Sequence, residues 1–178
     1  VMIRHKPVVL ELKAYLDGVV SEVFPEEGVR IRSMGSWIQG IFGVGGEKRG
    51  RIKIAVSDRS KELDPRCIGP ECEGAVIVGG AYAGVETYRR AASFGAAALV
   101  VGGFDDSDLR EVLGRDLGVA ITGQEDLPTT LILTEGFGRI PMARATFNLL
   151  KELEGCAASV NGATQIRAGV VRPEVVVC

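Results

Sequence analysis

The sequence has few of the side chains on which common catalytic sites depend. It contains one histidine, His5, and no G-x-S-x-G, H-E-x-x-H or local Cys–His pattern. Because this single histidine lies near the start of the sequence, acid–base catalysis by histidine is not expected. We therefore predict no catalytic residues, and we favour a protein that is not an enzyme over one that is.

The sequence also lacks an excess of charge of either sign. It has 21 basic and 23 acidic side chains, so its formal net charge is −2. Nucleic-acid binding usually requires a concentrated basic surface. The aromatic residues, 6% of the chain, are too dispersed to suggest a base-stacking platform. Nucleic acid is therefore not expected as a partner.

Long apolar runs are missing as well. No run approaches the roughly 18 residues that a membrane-spanning helix needs. The apolar segment that begins at Val8 is interrupted by Glu11 and Lys13, which is not typical of a signal peptide. We expect no membrane association and a cytoplasmic location.

Cysteine is scarce, and of the four cysteines only Cys67 and Cys72 lie close together in sequence. Their spacing is compatible with reduced thiols in a loop, with a redox-sensitive disulfide, or with two ligands of a metal ion. A structural zinc needs four ligands and His5 is remote, so reduced cysteines are the favoured interpretation. We predict no metal site and no cofactor.

Residues 1–58 are rich in β-branched residues that are separated by turn signals. Asp17-Gly18 and the segment 25–28 (PEEG) divide the first part into short runs. Farther on, Ile52 and Ile54 alternate with Lys53, as in a strand with one wet face. We predict a small β-barrel or sandwich over residues 1–58. The polar segment 59–73, which contains two prolines, is predicted to be a linker.

Residues 74–178 are predicted to form an α/β domain with a mainly parallel sheet. Apolar runs at 75–78 and 96–101 flank a segment with helical spacing, which indicates a β–α–β unit. The overall class is thus α/β, or α+β when the β-rich part is included.

Further elements are predicted in the second half of the chain. Helices are expected over Asp105–Leu113 and over 141–155, with Pro141 in the first turn, and strands over 118–122 and 129–136. Asn161-Gly162 is a hairpin signal. The apolar run that ends at Cys178 indicates a strand that pairs elsewhere, or a chain that is part of a longer protein.

The first candidate ligand site is the glycine turn that follows the strand at 75–78. Gly79, Gly80 and Gly84 precede a predicted helix, and backbone N–H groups at a helix N-terminus can hold an anion. The glycine spacing differs from G-x-G-x-x-G, and no Gly-Lys-Ser/Thr follows. The favoured alternative is that these glycines only form a tight turn and allow close packing.

The second candidate is Glu135, at the end of the strand at 129–136. In open parallel sheets, ligands gather at the carboxyl ends of strands, and Asp105 and Asp106 follow another strand of the same sheet. Carboxylates in that position suit acid–base chemistry or a hard cation. The alternative is that they stabilise helix N-termini.

The third candidate is the segment 160–169 (VNGATQIRAG), where polar side chains lie among small residues. Asn161, Thr164, Gln165 and Arg167 supply hydrogen-bonding groups and a cation. Arg167 is suited to holding an anion or to pairing with Glu135, and we expect the segment to converge with Glu135 on one edge of the sheet. A hairpin with ordinary cross-strand pairs is the alternative.

Two stretches resemble known families. Residues 12–56 (LKAYLDGVVSEVFPEEGVRI … GRIKIAV) look like the barrel-sandwich hybrid fold of lipoyl and biotinyl carrier domains. The corresponding turn has Met34 but no adjacent lysine for attachment, so carriage of lipoate or biotin is not implied. Residues 74–155, with RRAASFGAAALVV and ITGQEDLPTTLI, are similar to swivelling or protease-associated α/β domains. NGATQIRAG resembles a segment of uncharacterised bacterial proteins with this two-part layout.

The resemblance to swivelling and protease-associated domains implies a non-catalytic lid, interaction module or ligand sensor. Together with the missing catalytic residues, it predicts a non-enzymatic binding or assembly module within a larger protein or oligomer. The expected partner is another protein or a second copy of the chain. The alternative is a sensor or enzyme that binds a small anionic ligand at the glycine turns, with Glu135 and Arg167 as polar contacts.

Overall fold

The computed structural model describes residues 13–114, 127–165 and 169–178, and these contain ten β-strands and three α-helices. The strands are β1 (Val19–Phe24), β2 (Gly28–Arg32), β3 (Ser36–Gln39), β4 (Phe42–Val44), β5 (Glu47–Ile54), β6 (Ala75–Val78), β7 (Ala98–Phe104), β8 (Thr130–Phe137), β9 (Ala157–Asn161) and β10 (Glu174–Val177). The helices are α1 (Val85–Ser93), α2 (Asp106–Leu113) and α3 (Arg144–Glu152). The α/β class is confirmed.

Eight of the strands form one mixed sheet in the order β3-β10-β9-β5-β6-β7-β8-β4. The central strands β5, β6, β7 and β8 are parallel to one another. The other four pairings, β4 with β8, β9 with β5, β10 with β9 and β3 with β10, are antiparallel. The sheet is therefore parallel only in its centre.

The sheet curls until one short segment joins its two edges. The edge strands β3 and β4 are separated in sequence only by Gly40 and Ile41. The Gly40 N–H donates to the Pro173 carbonyl at 2.7 Å, and the Ile41 N–H donates to the Leu133 carbonyl at 2.8 Å. Because two residues span at most roughly 7 Å, the start of β10 and the middle of β8 lie close together on either side of this segment.

The predicted β–α–β unit is confirmed as β6, α1 and β7. Every residue of β6 and β7 is buried, as expected for parallel strands that are covered on both faces. Helix α1 buries Thr87, Tyr88 and Ala91, which recur at helical spacing. Gly95, whose φ is +68°, adopts the left-handed conformation that ends the helix.

Two apolar layers lie on opposite faces of the sheet. One contains Ile77, Leu99 and Leu131 and packs against α1 and α2, whereas the other contains Val78, Val100 and Ile132 and packs against α3. Neighbouring strand residues alternate between the two layers, because successive side chains point to opposite faces. The carboxyl ends of the strands thus lie between helices that pack on both faces of the sheet.

The predicted linker at 59–73 is not a boundary between two sheets. β3, β4 and β5, which were expected in a separate β-rich part, hydrogen-bond in the same sheet as β6 to β10. The segment is the crossover between parallel strands β5 and β6 and buries Leu63, Ile68 and Cys72. The polar composition of the segment did not indicate a crossover. The reason is that two single-turn helices, Pro65–Cys67 and Pro70–Cys72, replace the usual crossover helix.

Several smaller expectations need correction. Asn161-Gly162 does not form a tight hairpin, because β9 and β10 pair only after a longer connection, with Glu174 opposite Asn161. Helix α3 begins at Arg144, so Pro141 precedes it. The predicted strand at 118–122 lies outside the described residues.

The end of the apolar C-terminal run pairs within the chain, whereas its beginning is exposed. β10 pairs with both β3 and β9, and its Val175 and Val177 are buried. Val170 and Val171, at the start of the run, are 68 and 45% exposed.

Candidate functional site

The glycine turn after β6 packs tightly against the β5–β6 crossover. A Cβ atom on Gly80 would lie 2.3 Å from the carbonyl oxygen of Lys61 and 2.8 Å from that of Asp58, and one on Gly79 would meet the Val101 side chain at 2.8 Å. All of these distances are shorter than ordinary contacts, so side chains are excluded at both positions. The turn is thus filled by the protein's own backbone.

The N-terminus of α1, which follows Gly84, is occupied by a carboxylate of the chain itself. The Val85 N–H donates to Oδ2 of Asp108 at 3.0 Å. This is the position in which an anionic ligand was expected. Asp108 lies on α2, so the contact also ties the two helices together.

Tyr82 is the centre of the polar cluster at the carboxyl edge of the sheet. Its side chain is 93% buried by its neighbours, with 7% exposed, and its hydroxyl lies 2.9 Å from Oδ2 of Asp105 and 3.1 Å from Oδ2 of Asp108. Burial, the hydrogen bond to Asp105 and the negative charge of Asp108 raise the pKa of the phenol above its ordinary value of 10.0. Tyr82 is therefore a neutral hydrogen-bond donor at physiological pH.

An ion pair covers the ring of Tyr82 on its outer side. The guanidinium of Arg139 lies 4.3 Å from the ring centroid, and Arg139 Nε donates to Oε1 of Glu62 at 3.0 Å. Both charged side chains are more than half exposed, so the pair contributes at most about 1 kcal/mol. This cluster was not identified from the sequence, because the small residues that surround Tyr82 in the glycine turn gave no indication of it.

The predicted carboxylates at this edge serve separate structural roles. Asp105 is the N-cap residue of α2, but its carboxylate contacts Tyr82 and caps no backbone amide. Asp106 pairs with Arg110 one turn along the helix at 2.6 Å. Glu135 accepts a hydrogen bond from the Ala143 N–H at 2.8 Å, at the start of α3. Each carboxylate thus already has a partner within the chain.

The segment that begins at Asn161 holds the edge strand β4 in place. Asn161 Oδ1 accepts from the Ala163 N–H at 2.9 Å, and the buried Thr164 hydroxyl contacts both the N–H and the carbonyl of Gly43 at 2.8 and 2.9 Å. Gln165 is exposed, and its backbone pairs with Val171. Arg167 lies outside the described residues.

Asn161 does not converge with Glu135. Asn161 pairs with Glu47 at the beginning of β5, whereas Glu135 lies near the end of β8. Because β9 runs antiparallel to the central strands, its carboxyl end lies level with the amino ends of those strands, at the other end of the sheet from Glu135. The expected convergence with Glu135 is therefore wrong for Asn161.

The hairpin formed by β1 and β2 has an apolar face that no described residue covers. Val20 lies opposite Ile31, and Val23 lies opposite Val29. A β-bulge at Ser21 restores the alternation, so these four side chains share one face. They are 51, 37, 65 and 54% exposed, respectively. The sequence pattern shows these apolar residues, but not that the hairpin is left out of the core.

The opposite face of the hairpin is polar. Arg30 pairs with Glu22 and its guanidinium lies 5.2 Å from the centre of the Phe24 ring, and Val19 lies opposite Arg32. The hairpin is thus amphipathic. On its polar side, Arg30 contacts both Glu22 and Phe24. Isolated two-stranded hairpins are at best marginally stable in water, and exposed contiguous apolar surface is typical of interaction sites.

Metal-ligating side chains and cysteines both occur among the described residues. In residues 13–114, 127–165 and 169–178, no three His, Cys, Asp or Glu side chains are grouped so that they could hold a metal ion. Cys67, Cys72, Cys156 and Cys178 are all free thiols, and Cys72 is buried. No helix in the described part of the chain is long and apolar enough to cross a membrane.

Comparisons with known proteins leave the chain without a family. No protein-family model matches it, and neither the curated proteins nor the solved structures give a significant match. The function must therefore be inferred from the chain's own geometry.

Proposed function

We propose that this chain is a non-enzymatic assembly module that associates with a second copy of itself through the apolar face of the β1–β2 hairpin. The observation that carries the proposal is the exposure of Val20, Val23, Val29 and Ile31 on one face of an otherwise unsupported hairpin. Burial of such a face is favourable by roughly 25 cal/mol per Å². The resemblance to swivelling and protease-associated domains, which act as non-catalytic lids, interaction modules or ligand sensors, is compatible with the same function.

The charge pattern of the hairpin favours a second copy as the occupant. Two acids, Glu26 and Glu27, lie at the tip, and Arg32 lies at the base. None of the three has an ion-pair partner among the described residues. When two hairpins stack by their apolar faces about a two-fold axis perpendicular to the strands, the tip of one lies at the base of the other. Arg32 leaves the backbone on the polar face, so its charge attracts the acidic tip of the other hairpin from the rim of the interface and not across its apolar centre.

The test is the mass of the chain in solution, measured by light scattering over a range of concentrations. We expect a dimer for the wild type and a monomer for Val23→Lys, because a buried unpaired ammonium is strongly unfavourable. Val19→Lys is the matched control, since Val19 lies on the polar face and is 73% exposed. It should remain a dimer. A strictly monomeric wild type at high concentration, or a dimeric Val23→Lys variant, would contradict the proposal.

Charge exchange tests the arrangement separately. Glu27→Lys should weaken the dimer, and Glu27→Lys combined with Arg32→Glu should restore it, because antiparallel stacking brings the two charges near each other at the rim of the interface. Equal weakening by the single and the double variant would reject the antiparallel stacking while leaving the interface itself in place.

The alternative function, binding of an anion at the glycine turns, is not favoured by any observation. Asp108 already occupies the amide at the start of α1, and Glu135 already accepts from Ala143. The assembly proposal is therefore the one that the site geometry supports.

A further inference from the structure

We infer that a groove on the outer face of β5 binds an oxyanion group, a carboxylate or a phosphate of a small molecule, at Arg51. This site is independent of the hairpin. It lies at the other end of the parallel strands from the Tyr82 cluster, where β5, β6 and β9 run side by side.

The groove follows a row of three cations on one strand. Arg49, Arg51 and Lys53 occupy alternate positions of β5 and therefore project from the same face. Consecutive members of the row are roughly 6.6 Å apart along the strand, from a rise of about 3.3 Å per residue. All three line an open groove of about 650 Å³.

The two outer cations of the row already hold carboxylates of the chain. Arg49 pairs with Asp17, and Lys53 Nζ lies 3.0 Å from Oε1 of Glu71. The hydrogen bond and charge of Glu71 keep the pKa of Lys53 above its ordinary value despite an opposing effect of burial. These internal carboxylates show which chemistry the row accepts.

Arg51, the middle cation, differs from its neighbours. Its Nη1 donates to the carbonyl oxygen of Gly155 at 2.8 Å, and no described carboxylate pairs with it. A guanidinium carries five N–H donors in a planar fork that fits a carboxylate or a phosphate in bidentate fashion. The single neutral contact leaves most of these donors and the full positive charge available.

The surroundings of Arg51 leave room for such a group. The residue directly across the ladder on β9 is Ala157, and on the other side lie Ala75 of β6 and Gly74 just before it, all small. Glu71 and Glu73 also line the groove, so their negative charges disfavour an anion that extends along its whole length. The site therefore suits one oxyanion group rather than a polyanion that runs along the whole groove.

The experiment is a titration with inorganic phosphate and, in a second arm, with acetate, at constant ionic strength set by sodium chloride. Binding is followed by the NMR shifts of backbone amides in β5 and β9. We expect saturable shifts with a dissociation constant on the order of 1 mM or tighter. The stronger of the two arms identifies which oxyanion the groove prefers. Shifts that grow linearly without saturation in both arms would overturn the inference.

Three variants locate the site. Arg51→Gln should weaken binding about tenfold or more, because it removes a charge-assisted bidentate contact. Ala157→Glu keeps Arg51 but places a carboxylate directly opposite it, so binding should be lost to the same extent. Arg89→Gln, which breaks the exposed pair with Glu111 elsewhere on the surface, is the control and should bind as the wild type does.

Circular dichroism of each variant checks that it is folded. If Arg51→Gln does not fold, Ala157→Glu still tests whether the anion binds at Arg51. Wild-type affinity in either folded groove variant would show that the anion binds elsewhere, and the assignment to Arg51 would fall.

Discussion

Tyr82 is the residue through which three segments meet at the carboxyl edge of the sheet. Its hydroxyl contacts Asp105 and Asp108 at either end of the first turn of α2, and its ring supports Arg139 from the loop after β8. A phenol has one proton, so it donates to one carboxylate at a time. The cluster is therefore a structural joint whose strength depends on the phenol staying protonated.

The three tyrosines predict how stability depends on alkaline pH. Burial raises the pKa of Tyr88 to about 12, and burial followed by nearby carboxylates raises the pKa values of Tyr15 and Tyr82 above the ordinary 10.0. A raised pKa favours the protonated folded state. The stabilisation is complete below pH 10 and is lost as the pH rises from 10 through the folded values, by up to about 1.4 kcal/mol per pH unit for each tyrosine.

The measurement is urea unfolding at a series of pH values, with phenolate absorbance recorded in parallel. The free energy of unfolding should be nearly constant just below pH 10 and fall above it. Tyr82→Phe should lower stability by about 1–2 kcal/mol at neutral pH and flatten the alkaline slope. A slope that is unchanged in Tyr82→Phe would contradict the pKa assigned to this tyrosine.

At the scale of elements, the connection between β5 and β6 departs most from expectation. Its prolines, cysteines and charged residues are typical of a linker, yet Leu63, Ile68 and Cys72 are buried against the sheet. The Thr87 hydroxyl on α1 and the Arg90 side chain donate to the carbonyls of Leu63 and Ile68 at 3.0 and 2.7 Å. The connection is thus held to α1 by side-chain contacts that composition does not reveal.

Gly80 tests the packing of this connection against the turn after β6. Gly80→Ala should lower the free energy of unfolding by about 1–3 kcal/mol, because its Cβ would clash with backbone carbonyls that cannot move freely. Gly46→Ala is the matched control: a Cβ there meets nothing within 4 Å, so stability should stay within about 1 kcal/mol of the wild type. Urea unfolding gives both values. Equal effects at the two glycines would show that the turn is not tightly packed.

At the scale of the whole molecule, the curled sheet joins both halves of the chain. β5 is bonded to β6 on one side and to β9 on the other, and the segment from β3 to β4 contacts both β10 and β8. Neither the residues before 59 nor those after 73 can form this sheet alone. The core is therefore shared between the two predicted parts.

A shared core predicts a single unfolding transition. Trp37, the only tryptophan, lies on β3 and donates to Glu174 on β10 at 2.7 Å, so its fluorescence reports on the edge of the sheet. Far-UV circular dichroism reports on the helices that pack against the central strands. The two signals should change at the same urea concentration. A Trp37 transition at lower urea than the helical signal would instead favour two separately folded parts.

Local patterns in the sequence determined the elements whose physics is local. The continuous apolar runs and the glycine after α1 predicted β6, α1 and β7, and the β-branched alternation predicted β5. Only the tertiary structure decided how strands that are distant in sequence pair. The pairing of β3 with β10 and of β4 with β8 depends on contacts across more than 85 residues, for which no local signal exists.

The candidate sites follow the same division. Residue types alone predicted that Gly79, Gly80 and Gly84 serve a tight turn or an anion, but only the position of Asp108 showed that a carboxylate of the chain already occupies the helix end. The direction of β9 decided that Asn161 and Glu135 lie at opposite edges. The whole fold, and not any segment of it, also decided two further properties. One is the exposure of the hairpin, and the other is that Arg51 makes a single contact.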